Sequence, residues 1–482
     1  MDESKNSDLS RFGYVQELFR SMGGFSNFAI SFSIISVLTG AVTLFGYGFE
    51  MGGPLEMSLG WPIATVFMLI IAASMAELCS AYPTSGAMYH WAADLGGPAL
   101  GPHIAWFVAM LNIIGLIAAQ AGINYSCAQF ILPFLGISAT PAHLFLMFVF
   151  ILANQGVLNH IGVRLVAILN DLSVSVHIIG VIALVAAVFW MAPLQPVGYL
   201  ARGFTSSGRS PYAWAFLLGL LQAHWTFTGF DASAHMAEET ENPRVRAPWG
   251  IVLSVAVAGV TGYLLILALT LAIQDHGAAL HMKDAAGNDI PAAIAILQVA
   301  LGAKFGNTMA ALASMAMWFC GLSCVTSASR ALFSLARDNG LPGAALLRRV
   351  NPRFGTPAPA IWAIVLASIA AMLWTAAVPI VTSLSTVALY AAYVIPVGLG
   401  LRAGTGWRAG LEWSLGGYGP TLNAIAVAYS AFIVVILMMP PNQLAGWTML
   451  GTLLVLGILY WAAIRRRYRG PTWLHNYPSE FK

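Results

Sequence analysis

The stretch HWTFTGFDASAHMAEETENPRVRAP, from His224 to Pro248, brings together side chains that can bind, exchange protons and pair as ions. It begins with Thr226, Thr228, Gly229 and Asp231, then adds Glu238, Glu239, Glu241, Arg244 and Arg246. The run before it, YAWAFLLGLLQA from Tyr212 to Ala223, is apolar, but it covers only half of the roughly twenty residues that cross a bilayer. The first polar residues therefore fall at mid-depth. An ionised Asp there costs about 2.5 to 3.5 kcal/mol, which sets Asp231 toward a bundle interior rather than toward lipid. A helix interrupted at that depth exposes N–H groups on one stub and C=O groups on the other, tolerated only where they line a polar cavity.

A second stretch has the same character. GGFSNFAISFSIISVLTGAVTLFGYGF carries Gly23, Gly24, Ser26 and Asn27 early, and SVLTG, Ser36 to Gly40, in its middle. Amides of Ser36, Val37, Leu38, Thr39 and Gly40 at the positive end of a half-helix suit a carboxylate. Carbonyls near Ser36 and along His224, Trp225 and Phe227 suit an ammonium, with Thr228 and Gly229 closing the second break. Each helix end contributes about 0.3 to 2 kcal/mol, so several must converge on one ligand. Gln120 and Asn124 are four residues apart, on one helical face. With Gln222, Ser385 and Tyr390 they are further polar residues for such a cavity, or for hydrogen bonds between helices. Asn170 and Asp171 read as polar contacts near the inner end of their span.

The elements that must hold these residues follow from composition. Of 482 residues, 59% are hydrophobic and 9% charged, against roughly 25% charged in soluble domains; mean hydropathy is +0.76. An all-α integral membrane protein is expected. Apolar runs give twelve transmembrane helices: 23–48, 59–79, 104–127, 144–158, 163–191, 212–236, 248–274, 305–335, 357–374, 379–401, 422–440 and 444–464. The broken helices 1 and 6 then stand at equivalent places in two five-span halves entering from opposite sides. That is the five-plus-five inverted repeat of transporters with paired discontinuous helices. The expected divisions are a cytoplasmic segment 1–20, repeats 21–192 and 211–401, two extra C-terminal helices within 421–465, and a cytoplasmic tail 466–482.

With the N-terminus inside, only Arg202, Arg209, Lys283 and Lys304 of the 22 Lys and Arg lie outside. Both termini are therefore expected in the cytoplasm. No signal peptide is read in MDESKNSDLSRFGYVQELF, which lacks a cleavable apolar core. RRRYRG, Arg465 to Gly470, reads as a juxtamembrane anchor on anionic lipid, with no sign of nucleic acid. The four cysteines, Cys79, Cys127, Cys320 and Cys324, lie in or beside apolar spans. Cys320 and Cys324 share a helix face, where packing is the simpler use and a metal would need more ligands. The ten His are scattered, and no nucleophile stands beside a base, so neither enzyme chemistry nor a cofactor or metal is expected.

Three ordered motifs carry a resemblance. TFTGFDASAHMAEETENPRVRAP, AELCSAYPTSGAMYHWA (Ala76 to Ala92) and SASRALFSLARDNGLP (Ser327 to Pro342) together resemble the amino acid, polyamine and organocation permeases, and within them most closely the amino acid and choline transporter branch. The likeness runs from about Gly23 to Arg408. It implies the leucine-transporter-like fold and a plasma-membrane permease, in an inner membrane if bacterial. The implied partners are a small amino acid or amine, a driving proton or sodium ion, and the lipid bilayer; oligomeric state is not implied. Trp225 matches the family's aromatic lid, with packing as its other use. Asp231 matches an acid with a gating role. Glu238 and Glu239, with Arg330, Arg337 and Asp338, match the loop that closes the cytoplasmic path, or form a solvated cluster. Where many relatives have a fifth-span Lys, this chain has His177, and an unperturbed histidine, unlike an unperturbed lysine, titrates near neutrality. His177 is expected to carry the coupled proton beside Ser323, Thr326 or Ser327; those hydroxyls are equally the oxygen ligands of a sodium alternative. A choline or polyamine permease, or an exchanger, is the alternative to a neutral amino acid or γ-aminobutyrate carrier.

Overall fold

The computed structural model describes residues 7–10, 12–283, 287, 289–374 and 378–475. Parts of the expected terminal segments, residues 1–6, 11 and 476–482, and residues 284–286, 288 and 375–377 of the expected second repeat, lie outside the described residues. Among the described residues the chain is helical, with no strand beyond isolated bridges. The principal helices are α1 (Gly24–Ile35), α2 (Val37–Thr43), α3 (Phe45–Leu55), α4 (Trp61–Ala81), α5 (Met88–Leu95), α6 (Gly97–Phe134), α7 (Pro141–Ile161), α8 (Val163–Met191) and α9 (Tyr212–Gly219). They continue as α10 (Leu221–Thr226), α11 (Ala232–His235), α12 (Pro243–Leu271), α13 (Ala292–Leu301), α14 (Ala303–Arg337), α15 (Ala358–Trp374), α16 (Val378–Arg402), α17 (Gly419–Leu437) and α18 (Gln443–Leu459).

Ten helical stretches among the described residues are long and apolar enough to cross a membrane. The difference from the twelve expected arises at two places. Residues 212–236 form α9, α10 and α11, of 8, 6 and 4 residues, because Thr, Gly and Asp interrupt the apolar run. Helix α15 has 17 residues, just short of a full crossing. The first two spans are joined by continuous helix. Helix α3 kinks at Gly53 (φ 62°, ψ −158°) ahead of Pro54 and then passes through a π-helical turn, Glu56–Gly60, into α4. Helix α13 was not expected at all.

The centre of the bundle is α6, which packs along α14 and α16, while α4 packs along α12 and α1 lies against α8 and α12. Small residues let these backbones approach. A Cβ on Gly262 would sit 2.2 Å from the Trp61 ring, and one on Gly115 2.7 Å from Leu389. Trp61 Nε1 donates to the Gly259 carbonyl at 2.9 Å. Ile179, Ile182, Leu454, Val455 and Ile458 on α8 and α18 point outward, which hydrocarbon, unlike water, accommodates.

Candidate functional site

Ser36 is the hinge of the first interruption. Its φ of 40° and ψ of 80° are left-handed, so α1 ends there and α2 restarts. The Ser36 carbonyl accepts from the amides of Thr39 and Gly40 at 2.8 and 2.9 Å. The amides of Val37 and Leu38 therefore stand at a helix start with no preceding carbonyl in register. Ser36 Oγ lies 2.5 Å from Thr39 Oγ1 and 2.8 Å from His177 Nε2. The other His177 ring nitrogen faces the Ser173 carbonyl at 2.8 Å. A fully buried imidazole thus leans directly on the non-helical residue. At the end of α1, the Ile34 carbonyl accepts from the Cys320 thiol at 3.0 Å.

The second interruption lies between α10 and α11. Gly229 has φ 93°, a conformation open to glycine at no steric cost. Its N–H donates to the Tyr393 hydroxyl at 3.1 Å, and that hydroxyl donates to Asp231 at 2.6 Å. Thr226 and Thr228 turn their hydroxyls back onto the carbonyls of Gln222 and Trp225, each at 2.7 Å. The two interruptions touch at two glycines. A Cβ on Gly40 would lie 2.3 Å from Thr226 Oγ1, and one on Gly229 2.1 Å from Ile34.

Between them is a pocket. Its polar wall is Thr39, Gly40, Thr226, Thr228 and Gly229; its apolar wall is Ile34, Ile35, Leu116, Ala119, Ile123, Trp225 and Leu389. The space left for water is about 10 Å³, room for about one molecule. Among the described residues, no side chain lining it is charged. Of the residues expected here, Thr39, Gly40, Trp225, Thr228 and Gly229 line the pocket, and Ser36, Val37 and Leu38 form the turn behind it. The others are turned elsewhere. Gln120 accepts from Ser368 at 3.1 Å, and Asn124 and Gln155 exchange hydrogen bonds at 2.8 and 3.0 Å. His224 bonds Tyr429 at 2.9 Å, Phe227 packs on Trp61 with ring centroids 5.0 Å apart, and Gln222 donates to the Ala41 carbonyl at 3.3 Å. Tyr390 reaches Met68, and Ser385 bonds within its own helix. Ser323 bonds Asn170 and Thr326 bonds Asn159, not His177, while the Ser327 hydroxyl is buried with no partner among the described residues. Asp171 accepts from Ser26 at 3.0 Å.

From Asp231 a polar chain runs away from the pocket. Asn112 donates to its carboxylate at 2.9 Å, and His235 lies 3.4 Å away on the next helical turn. His235 also contacts the Ser85 carbonyl at 2.8 Å, and the Ser85 amide donates to Glu238 at 3.0 Å. Glu238 is held by Arg337 at 2.9 and 3.1 Å, and Glu239 by Arg330 at 2.7 and 3.4 Å; both carboxylates are buried, so this cluster is not a solvated one. Burial alone would push the Glu238 carboxyl up, but Arg337 and the Ser85 amide outweigh it and bring it down to about 2. For Glu239 burial outweighs the pull of Arg330, and its carboxyl is raised. The Arg337 guanidinium lies 3.7 Å over the Tyr14 ring, and Tyr14 donates to both oxygens of Asp338 at 2.8 Å. Burial, with the Asp338 carboxylate, keeps that phenol far from ionising. Glu241 pairs with Arg246 at 2.7 Å on the surface.

Sequence reasoning missed Tyr393, Asn112, His235 and Tyr14. Only His235 had a local signal, the four-residue spacing from Asp231.

The sequence model of the amino acid permease family matches residues 22–463. The chain belongs to the amino acid permease family. This permease is 33% identical to the amino-acid permease BAT1 of Arabidopsis thaliana over 455 residues, 90% of this chain and 88% of that one. It is 26% identical to the GABA-specific permease of Saccharomyces cerevisiae, over 97% of this chain and 85% of that one. Among solved structures, it superposes on a manganese transporter of Eremococcus coleocola with a TM-score of 0.60, at 14% identity, over 92% of this chain and 94% of that one. The permease is thus an integral membrane amino acid transporter with a leucine-transporter-like helical fold, and its relatives are permeases and transporters rather than enzymes.

Proposed function

We propose that this permease imports a small neutral amino acid or γ-aminobutyrate across the plasma membrane by alternating access, driven by protons. The observation that carries the reading is the pocket where the two interruptions cross, lined by hydroxyls, backbone and apolar side chains with no charged side chain. A zwitterion needs opposite poles close together. The start of α2, with Thr39, offers the carboxylate a positive helix end, and the carbonyls ending α1 at Ile34 and Ile35 offer the ammonium a negative one. Several such contacts at about 0.3 to 2 kcal/mol each add to useful affinity. Among the described residues, Trp225 is the pocket's one aromatic lining residue, which argues against choline, whose quaternary ammonium favours several aromatic faces. A polyamine would lack a carboxylate for the α2 end and would find no acid in the wall.

His177 is the proposed coupling residue. It touches Ser36, so gain of a proton, which turns Nε2 into a donor, must rearrange the bond that fixes the first hinge. One proton moving down 100 mV supplies roughly 2.3 kcal/mol, enough for about fiftyfold accumulation. Sodium is the second reading; the engagement of Ser323 and Thr326 with Asn170 and Asn159 weighs against it. The same reading has twelve spans in two inverted five-helix repeats, with helices 1 and 6 broken and two helices added. Both termini face the cytoplasm, where Glu238, Glu239, Arg330 and Arg337 close the inner path and Asp231 joins it to the pocket.

The test is a binding scan by thermal shift across neutral amino acids, γ-aminobutyrate, β-alanine, polyamines and choline, followed by counterflow in proteoliposomes. Stabilisation and saturable exchange with a neutral amino acid or γ-aminobutyrate are expected. Stabilisation by choline or polyamines alone would overturn the substrate class.

A further inference from the structure

Glu56 is a buried acid that the pocket and the charged end do not use. It begins the π-helical turn Glu56–Gly60, is 1% exposed, and its Oε2 has no hydrogen-bond partner among the described residues. Four glycines form the slot that contains it. A Cβ on Gly52 would lie 2.3 Å from the Glu56 Cβ, and one on Gly219 2.9 Å from its Cγ. A Cβ on Gly60 would lie 2.7 Å from Oε1, and one on Gly48 2.9 Å from Oε2. Any larger residue at these four positions, two on α3, one in the π turn and one on α9, would crowd the Glu56 side chain and force it to shift. π-Helical turns are themselves frequent at functional sites.

The rest of the slot is carbon from Met57, Met51 and Leu220, with the Gln222 amide oxygen at its edge. Titratable groups on the elements around it are Tyr47 and Glu50 on α3, Glu77 on α4, Tyr199 and Arg202 at the segment 197–202, Tyr212 on α9 with Arg209 just before it, His224 on α10, Arg244, Arg246 and Tyr263 on α12, and His276 and His281 on the short helix His276–His281. Among the described residues none forms an ion pair or hydrogen bond with Glu56, and Tyr212 donates instead to the Gly52 carbonyl at 2.7 Å. A lone carboxylate in such a slot is expensive, so the closed slot holds the neutral acid. A metal ion would need several oxygens; besides the carboxyl, the Gln222 amide oxygen, 2.7 Å from the point that a Gly48 Cβ would occupy, is the side-chain oxygen at that hollow. Gln222 ties the slot to the pocket: its amide donates to the Ala41 carbonyl on α2, and its carbonyl accepts from Thr226.

We propose that Glu56 is a proton-binding latch, whose protonation lets α3 and α9 close around it at the end of the pathway opposite Arg330, and whose ionisation forces that end open. The latch rests on the proton-coupled reading and adds a proton site separate from His177. Substrate in the pocket and a proton on Glu56 would then both favour closure, which is how two solutes become coupled.

The full chain is reconstituted as wild type and as Glu56→Gln, which keeps the shape of the neutral acid. Infrared spectra should contain a protonated-carboxyl band in the wild type that Glu56→Gln removes and that fades as pH rises. Amino acid counterflow without a gradient should persist in Glu56→Gln. An imposed gradient of one pH unit should drive accumulation up to about tenfold for each coupled proton, and Glu56→Gln, left with His177 alone, should accumulate clearly less than the wild type. No Glu56-dependent band, or gradient-driven accumulation by Glu56→Gln equal to wild type, overturns the latch. Counterflow without gradient-driven uptake in the wild type overturns proton coupling itself, while the band still decides whether Glu56 binds a proton. If Glu56→Gln does not fold, Glu56→Asp should shift the band in place of removing it, and an unshifted band overturns the assignment.

Discussion

Replacing Glu238 by Gln keeps the shape of the side chain and removes its charge. In the native protein the carboxylate meets Arg337 through two bonds and accepts a third from the Ser85 amide. Burial disfavours the charged form, yet the carboxyl is lowered from 4.5 to about 2. A shift of that size is worth roughly 3 kcal/mol toward the paired state. Removing one partner of a buried pair costs a similar amount, about 3 to 5 kcal/mol, because Arg337 is left on the Tyr14 ring without its bonded carboxylate. Helix α14 also carries Cys320 and Cys324, both buried, so their alkylation reports opening of the Arg337 end. At neutral pH, Glu238→Gln should raise the alkylation rate by about two powers of ten. The folded carboxyl lies below its unfolded value. Its contribution is therefore complete above about 4.5 and is lost as pH falls toward about 2. Melting temperature should fall over that interval more steeply in wild type than in Glu238→Gln. Equal alkylation rates at neutral pH, or equal slopes at low pH, would refute the reasoning.

Gly40→Ala places a methyl 2.3 Å from Thr226 Oγ1; overpacking of this kind costs about 1 to 3 kcal/mol. Substrate affinity by thermal shift should drop about tenfold or more, with partial recovery in Gly40→Ala/Thr226→Gly. His177→Ala should retain counterflow but lose the pH dependence of uptake, and unchanged pH dependence and accumulation would remove His177 from the coupling step.

Ser36 and Gly229, both with positive φ, fall in the two stretches that the sequence singles out, because the signal there is local: small and polar residues in the middle of an apolar run, at Ser36 to Gly40 and at Thr226 to Asp231. The charged end was legible for the same reason, since Glu238, Glu239, Arg330 and Arg337 have no place in hydrocarbon. What failed to read was direction. Gln120 and Asn124 do share a helix face, but that face meets Ser368 and Gln155. Space for the Asn124 and Gln155 amides exists because position 321 is glycine: a Cβ there would lie 2.3 Å from Asn124. Such complementarity joins residues some two hundred positions apart and leaves no periodic trace. Trp225 and Phe227 illustrate the same limit. Two residues apart in a short helical turn, they face different ways, one into the pocket and one onto Trp61.

Tyr393 tests whether the pocket and the charged end are mechanically joined. Its hydroxyl accepts from Gly229, whose positive φ shapes the second interruption, and donates to Asp231, from which bonds lead through Asn112, His235 and Ser85 to Glu238. A chain of contacts is not by itself coupling; the physical warrant is an energy that both ends share. Tyr393→Phe deletes one hydroxyl while keeping the ring, and leaves the Gly229 amide and one Asp231 oxygen short of a buried partner. Each unsatisfied group costs about 1 to 3 kcal/mol. Substrate affinity should fall about tenfold or more, and Cys324 alkylation should rise even though Arg337 and Glu238 are untouched. In a double-mutant cycle with Glu238→Gln, joined ends predict non-additive changes in alkylation, by at least about 0.5 kcal/mol. Strict additivity would mean that Tyr393 serves the pocket alone, and that opening of the Arg337 end is governed without it.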